Sequence, residues 1–207
     1  MKSSAILILP AMLMASSVAL ADRYKHIEQV IDASDLDTVQ LEISVGEVDI
    51  ETYDGDEIQL EIDIEAPRSW FSFQRPDAED VELEIHDRGS EVYIGINEQN
   101  IEQTWYIRMP AKLALEIEMG VGDIQIEDFA NDLEMELGVG AVRVEVADVD
   151  YDSIHASVGV GDATVRGFSN SSDNERSFVS ADSYYHGSGE LEMEIEVGVG
   201  DIEVRKL

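Results

Sequence analysis

Asp123, Asp162 and Asp201 occupy one position of a recurring tetrapeptide, Gly-Val-Gly-Asp, and Glu47 takes the same place in a degenerate copy, Ser44 to Glu47. Carboxylates that recur with the period of a fold could hold a hard cation such as Ca²⁺. Strands in register lie about 4.8 Å apart, and two carboxylates at that distance repel by roughly 0.9 kcal/mol even in water, a cost that a cation would relieve. The pattern is nevertheless poor for a metal. Ala141 replaces the acid in the copy Gly138 to Ala141, and the spacing is not the tandem nonapeptide of calcium-binding β-rolls. One acid per repeat also falls short of the roughly six to eight oxygens that Ca²⁺ takes. No metal and no other cofactor is therefore expected. Ca²⁺ binding at Asp123, Asp162 and Asp201 is kept as the alternative function.

Carboxylates could also cleave polysaccharides from an outer strand face, as a pair flanking a glycosidic bond. With 46 Asp and Glu, however, pairs at a catalytic separation arise by chance, and no particular pair stands out. His26, His86, His155 and His186 are scattered without metal-ligand spacing, and no nucleophile-elbow motif is present. The chain is expected not to be an enzyme. A polysaccharide-acting β-helix is the second alternative, whose sign would be a groove with one carboxylate of perturbed pKa beside an arginine such as Arg108 or Arg143.

Two aromatic clusters could bind a protein or glycan partner, although capping an open end or edge of the fold is the favoured reading. One is Trp70, Phe71 and Phe73, within Ala66 to Asp80; the other is Tyr184 and Tyr185, within Asp182 to Gly189. Trp105 shares its parity with Ile107 and Met109 and belongs to the core. The formal charge of −33, from 13 Lys and Arg against 46 acids, disfavours nucleic acid and anionic membrane surfaces. The absence of cysteine removes disulfides, thiolate metal sites and thiol nucleophiles.

The elements that position these residues start after an export signal. Lys2 precedes an apolar run from Ala5 to Ala15, and Ala19-Leu20-Ala21 has the A-x-A form of a cleavage site. Cleavage near Ala21 would remove residues 1–21 and leave a periplasmic or secreted chain with no membrane span. Residues 22–38 then form a lead-in or cap, and 39–207 the main domain. Strict alternation, as in Leu115-Glu116-Ile117-Glu118-Met119 and Leu191-Glu192-Met193-Glu194-Ile195, predicts strands with one dry face. Only Ile27 to Ile31 reads as a helical turn. The second glycines of the repeat are Gly46, Gly122, Gly140, Gly161 and Gly200. The intervals from Gly122 to Gly140 and from Gly140 to Gly161 are nearly equal; Gly161 to Gly200 is close to twice that length, and Gly46 to Gly122 close to four times. A period of about 19 points to a solenoid of about nine coils.

Around each copy the inward parity slips, for example from Leu115, Ile117, Met119 and Val121 to Ile124 and Ile126. The glycines (Gly46, Gly120, Gly122, Gly138, Gly140, Gly159, Gly161, Gly198 and Gly200) are thus expected to be strand corners. The valine between them is expected to point inward and the acid outward. The fold class is all-β, a single-stranded β-solenoid with glycine corners; a β-sandwich of antiparallel hairpins is the alternative. The ordering of Ile107-Arg108-Met109-Pro110, the strand Leu113 to Met119, the GVGD corner, Ile124-Gln125-Ile126 and the coil from Leu133 resembles the bacterial exported toast-rack, or adhesin-like, domain family of unknown function. The opening pair Val39 to Ile50 also resembles it, whereas Gly167 to Gly189 lacks a corner motif. The resemblance implies this fold and an adhesion role and carries no catalytic residues; a periplasmic or secreted structural or interaction module fits the residues equally well.

Overall fold

Two residues per period commit a chain to strands, but a strand too long for its connections must bend. The computed structural model describes residues 24–66, 78–96, 98, 101–168, 173–176 and 180–206. In chain order the strands are β1 (Tyr24–Asp32), β2 (Thr38–Tyr53), β3 (Glu57–Glu65), β4 (Glu84–Asp87), β5 (Glu91–Ile96), β6 (Glu102–Pro110), β7 (Ala114–Phe129), β8 (Leu133–Val146), β9 (Tyr151–Arg166), β10 (Asp173–Arg176), β11 (Ala181–His186) and β12 (Leu191–Lys206). Among these residues there is no α-helix, and Ala78–Asp80 forms a short 3₁₀ turn. Ile27 to Ile31 is strand, not a helical turn: β1 pairs antiparallel with β3, with Ile27 opposite Ile62, a long-range partner that local propensity cannot register.

Leu115 of β7 lies beside Leu133 of β8, and only Ala130, Asn131 and Asp132 connect the two strands. A straight β7 would carry Phe129 about 46 Å from Leu115, whereas the four residue steps from Phe129 to Leu133 reach at most about 14 Å. β7 must therefore fold back on itself. The fold occurs at the glycine pair, so that Leu115, Ile117 and Met119 before it and Ile124, Ile126 and Phe129 after it belong to one buried cluster. The sheet is creased along a line of glycines, with the core between its two arms.

Stacking at the crease demands glycine for two reasons. Gly122, Gly140, Gly161 and Gly200 have φ between +144° and +149°, a region that L side chains rarely adopt. A Cβ on Gly200 would also lie 1.6 Å from the Gly140 carbonyl oxygen, and one on Gly140 would lie 1.6 Å from that of Gly122. The valine between the glycines points outward, against the parity reading: Val121, Val139, Val160 and Val199 are 45% to 49% exposed. Met119, Leu137, Val158 and Val197 are the last inward residues, because the chain turns over outside the core before Ile124 and its counterparts re-enter it.

The five corner strands are parallel and stack in the order β2-β7-β8-β12-β9. They are immediate neighbours, so the long intervals from Gly46 to Gly122 and from Gly161 to Gly200 do not mark coils stacked between them, and the count of nine is too high. The first interval contains β3 to β6, and the second contains the antiparallel β10 and β11 beyond β9. β12 inserts between β8 and β9. A sixth coil is made of two pieces, since β5 pairs with the first arm of β2 and β6 with the second. There Gln103, not glycine, stands opposite Gly46. The continuous parallel registers establish the solenoid and exclude a sandwich of antiparallel hairpins; among the described residues antiparallel pairs occur only at the flanks, among β1-β3-β6, β4-β5 and β9-β11-β10.

Candidate functional site

Stacking in register turns each exposed residue into a row across the sheet. At the crease the row is Thr104, Glu47, Asp123, Ala141, Asp201 and Asp162, so Ala141 separates Asp123 from Asp201 while Asp201 lies beside Asp162. The aspartates accept backbone hydrogen bonds from the next strand: Ala141 N donates to Asp123 Oδ1 at 3.0 Å, and Asp162 N to Asp201 Oδ1 at 3.1 Å. These acids pin corner amides. Among the described residues no group of three acids or histidines is placed to hold a metal ion.

The outer face of the first arm is a carpet of carboxylates. One row runs Gln40, Glu116, Glu134, Glu194 and His155, and the next runs Glu42, Glu118, Glu136, Glu196 and Ser157. Each neighbouring carboxylate pair adds a repulsion of just under about 1 kcal/mol in water. Partial burial, then the charges of Glu91 and Glu134, raises the pKa of Glu116 above the ordinary glutamate value. Stacked rings stand at both margins: His86 on Tyr93 at 5.6 Å, and His155 on Tyr184 at 4.4 Å. His155 lies 3.8 Å from Asp182 and 3.7 Å from Glu194.

The outer face of the second arm differs in chemistry. Arg143 pairs with Glu203 at 3.5 Å, Arg166 shares the same carboxylate, Arg205 pairs with Glu145, and Arg108 pairs with Glu51 at 3.3 Å. Two shallow cavities lie on this face. One of about 710 Å³ includes Asp123, Gln125, Arg143, Thr164 and Glu203 in its lining; the other, of about 460 Å³, includes Asp49, Gln59, Glu61, Tyr106, Arg108 and Gln125. Tyr106 is 47% exposed and stands in register between Glu61 of β3 and Asp49 of β2.

The aromatic candidates separate. Trp70, Phe71 and Phe73 lie outside the described residues. Tyr184 sits on the outer surface against His155, but Tyr185 is buried at 2% exposure and cannot meet a partner. Its parity in β11 points it inward, against Phe168. Its hydroxyl donates to Asp150 Oδ1 at 2.6 Å, and Ser188 N and Oγ donate to Asp150 Oδ2 at 3.0 and 2.9 Å. These bonds hold the Asp150 carboxyl down at about 2 and push the Tyr185 phenol up to about 12. The nine corner glycines line the crease, with neighbouring carbonyls closing on each. Tyr106 and the glutamate rows escape sequence reasoning because each strand shows only alternation; the rows exist only once the coil order is known.

A toast-rack domain built on stacked, creased strands is the class that this architecture defines. The family model described as the N-terminal domain of toast_rack, DUF2154, matches residues 21–166, and the chain belongs to that family. No curated protein matches it. Among solved structures, the chain is similar to a "putative cell adhesion protein" from Clostridium sporogenes, with 14% identity, 89% of this chain and 100% of that chain covered, and a TM-score of 0.47. A "putative adhesin" from Bacteroides fragilis shows 10% identity, coverage of 88% and 97%, and a TM-score of 0.27. Another from Parabacteroides merdae shows 8% identity, coverage of 88% and 96%, and a TM-score of 0.23. No helix among the described residues is long and apolar enough to cross a membrane.

Proposed function

We propose that the chain is an exported, non-catalytic interaction module that engages its partner on the outer face of the second arm. The division between its two outer faces carries this reading. One face is nearly uniform carboxylate, whereas the other combines an exposed tyrosine, amide side chains and cross-strand Arg–Glu pairs over grooves of about 460 and 710 Å³. Mixed aromatic, amide and arginine surfaces suit recognition, since they offer contact area and directional hydrogen bonds together. Export rests on Lys2, the apolar run and Ala19-Leu20-Ala21.

Two measurements test the reading. The amino terminus of the protein recovered from outside the cytoplasm should be Asp22. A photo-crosslinking residue replacing Gln125 should yield a discrete adduct in the producing cells, and the same residue replacing Glu118 on the opposite face should not. Equal adducts from both faces, or none from either, would refute the assignment of the binding face.

A further inference from the structure

The molecule twice places an arginine on a tyrosine ring with a glutamate beside it. Arg108 lies 4.9 Å from the centroid of Tyr53 and 3.3 Å from Glu51, and Arg88 lies 5.3 Å from the centroid of Tyr93 and 3.5 Å from Glu91. The ring face attracts the guanidinium through its quadrupole, and the carboxylate accepts from its edge N–H groups, so one planar group can satisfy both neighbours at once. Tyr106 presents the same chemistry to solvent. It is 47% exposed, with Glu61 directly across on β3 and Asp49 directly across on β2, each about 4.8 Å away by strand spacing. No described residue makes a hydrogen bond, ion pair or ring contact with the side chain of Tyr106, Asp49 or Glu61.

From this repeated arrangement we infer that Tyr106, Glu61 and Asp49 form a receptor for an arginine side chain of a partner protein. Charge complementarity favours that occupant. Among the described residues, the groove of about 460 Å³ holds the carboxylates of Asp49, Glu51, Glu61 and Glu127 against the one cation Arg108, which Glu51 already engages. Gln59 and Gln125 line the same groove and supply amide donors and acceptors for the backbone of the segment bearing the arginine. Flanking carboxylates distinguish the site from a bare aromatic platform. A planar guanidinium can lie on the ring while directing its edge N–H groups towards a carboxylate, a geometry that an ammonium reproduces less well.

The inference rests on the binding face assigned above and deepens it. Its test is titration of the full chain at about 0.15 M salt with a five-residue peptide, acetyl-Gly-Ser-Arg-Ser-Gly-amide, followed by backbone amide NMR. An otherwise identical peptide carries citrulline, the uncharged analogue of arginine. The arginine peptide should shift resonances around Tyr106, Asp49 and Glu61, and the citrulline peptide should bind at least tenfold more weakly. Tyr106→Leu, which keeps an apolar side chain without a ring, and the pair Asp49→Asn with Glu61→Gln should each cost at least tenfold. Glu118→Gln with Glu136→Gln on the opposite face should leave affinity within about twofold. The inference is overturned if Tyr106→Leu binds as the parent does, if citrulline matches arginine, or if the opposite-face pair costs as much as the groove pair. It is also overturned if spermine at matched charge displaces the peptide with the same dependence on Tyr106, which would make the site one for small polyamines. A crosslink from Gln125 without arginine binding would sink this inference and leave the binding face standing; the absence of both would remove the face itself.

Discussion

Replacing Gly200 by alanine tests whether the crease is held by backbone contact. The new Cβ would sit 1.6 Å from the Gly140 carbonyl oxygen and 2.7 Å from its carbon, at φ +149°. An ordinary carbon–oxygen contact is about twice that distance, so β12 must draw away from β8 by well over about 1 Å or the corner must change conformation. The obstructing atom is backbone within a continuous parallel ladder and cannot rotate aside. A residue forced into a sparsely populated backbone region costs about 1–3 kcal/mol, overpacking a similar amount, and each weakened ladder bond about 1 kcal/mol. The expected loss is about 4 kcal/mol, a large share of the roughly 5–15 kcal/mol by which domains are stable. Gly89→Ala is the internal control. Gly89 has φ +92°, but a Cβ there would meet no atom within 4 Å, so this variant bears only the backbone cost, about 1 kcal/mol. Urea unfolding followed by far-UV circular dichroism should place Gly200→Ala well below Gly89→Ala, or show it unfolded in buffer. Equal midpoints for the two variants would refute close stacking at the crease.

Other consequences follow from the strand order and the electrostatics. Deleting residues 191–206 removes the strand that joins β8 to β9, and the chain should lose the near-UV signal of buried Trp105 as well as its cooperative transition; retention of both would mean that the two blocks fold independently. Asp150 has a folded pKa depressed to about 2 by Tyr185 and Ser188, so its contribution is present above the unfolded value near 3.8 and is lost as pH falls towards 2. Asp150→Asn should therefore destabilise at pH 7, and the gap from the parent should close in acid titrations followed by thermal melting. Glu116 shifts in the opposite sense: its raised pKa makes its charge a cost at neutral pH that disappears once it protonates in both states. Glu116→Gln should raise the neutral-pH midpoint, by a few tenths of a kcal/mol after solvent screening, and leave the midpoint below about pH 3 unchanged. Micromolar Ca²⁺ should shift the melting midpoint no more than matched Mg²⁺, because Asp123 and Asp201 accept backbone amides and, among the described residues, no three acids or histidines are placed to hold a metal ion.

Alternation is a property of neighbouring residues, and it makes β2, β7, β8 and β12 legible one at a time. Coil order is not local. The segments Gly120 to Asp123, Gly159 to Asp162 and Gly198 to Asp201 are identical, so each corner can seat against any other with the same carbonyl-to-glycine fit, and sequence distance offers the only clue. That clue misleads twice, between Gly46 and Gly122 and between Gly161 and Gly200, because flanking strands occupy both intervals. The inward valine fails for a related reason: parity locates a slip but not the step at which it occurs, and the positive φ of the second glycine places the turn outside the core after Met119, leaving Val121 exposed.

The unequal outer faces follow from the same corner. Before it, the outward residues of β7, β8 and β12 are Glu116 and Glu118, Glu134 and Glu136, Glu194 and Glu196; after it, they include Gln125, Arg143, Glu203 and Arg205. Because the crease reverses the chain, these two sets look out from opposite sides of one thin core. A single strand therefore contributes carboxylate to one surface and a mixed set to the other, and stacking multiplies both. Local sequence shows an acidic chain, but only the stacked register shows where its few arginines lie. Arg108, Arg143, Arg166 and Arg205 all stand on the second arm; Arg108 lines the groove that exposes Tyr106, and Arg143 and Arg166 line the neighbouring cavity. Arginines gathered on one arm and held there by Glu51, Glu145 and Glu203 neutralise that face locally, while the opposite face keeps its glutamate rows with Arg88 at the margin. Any partner must therefore distinguish two surfaces of the same domain, and the arginine receptor at Tyr106 lies on the one where specific contacts can outweigh bulk repulsion or attraction.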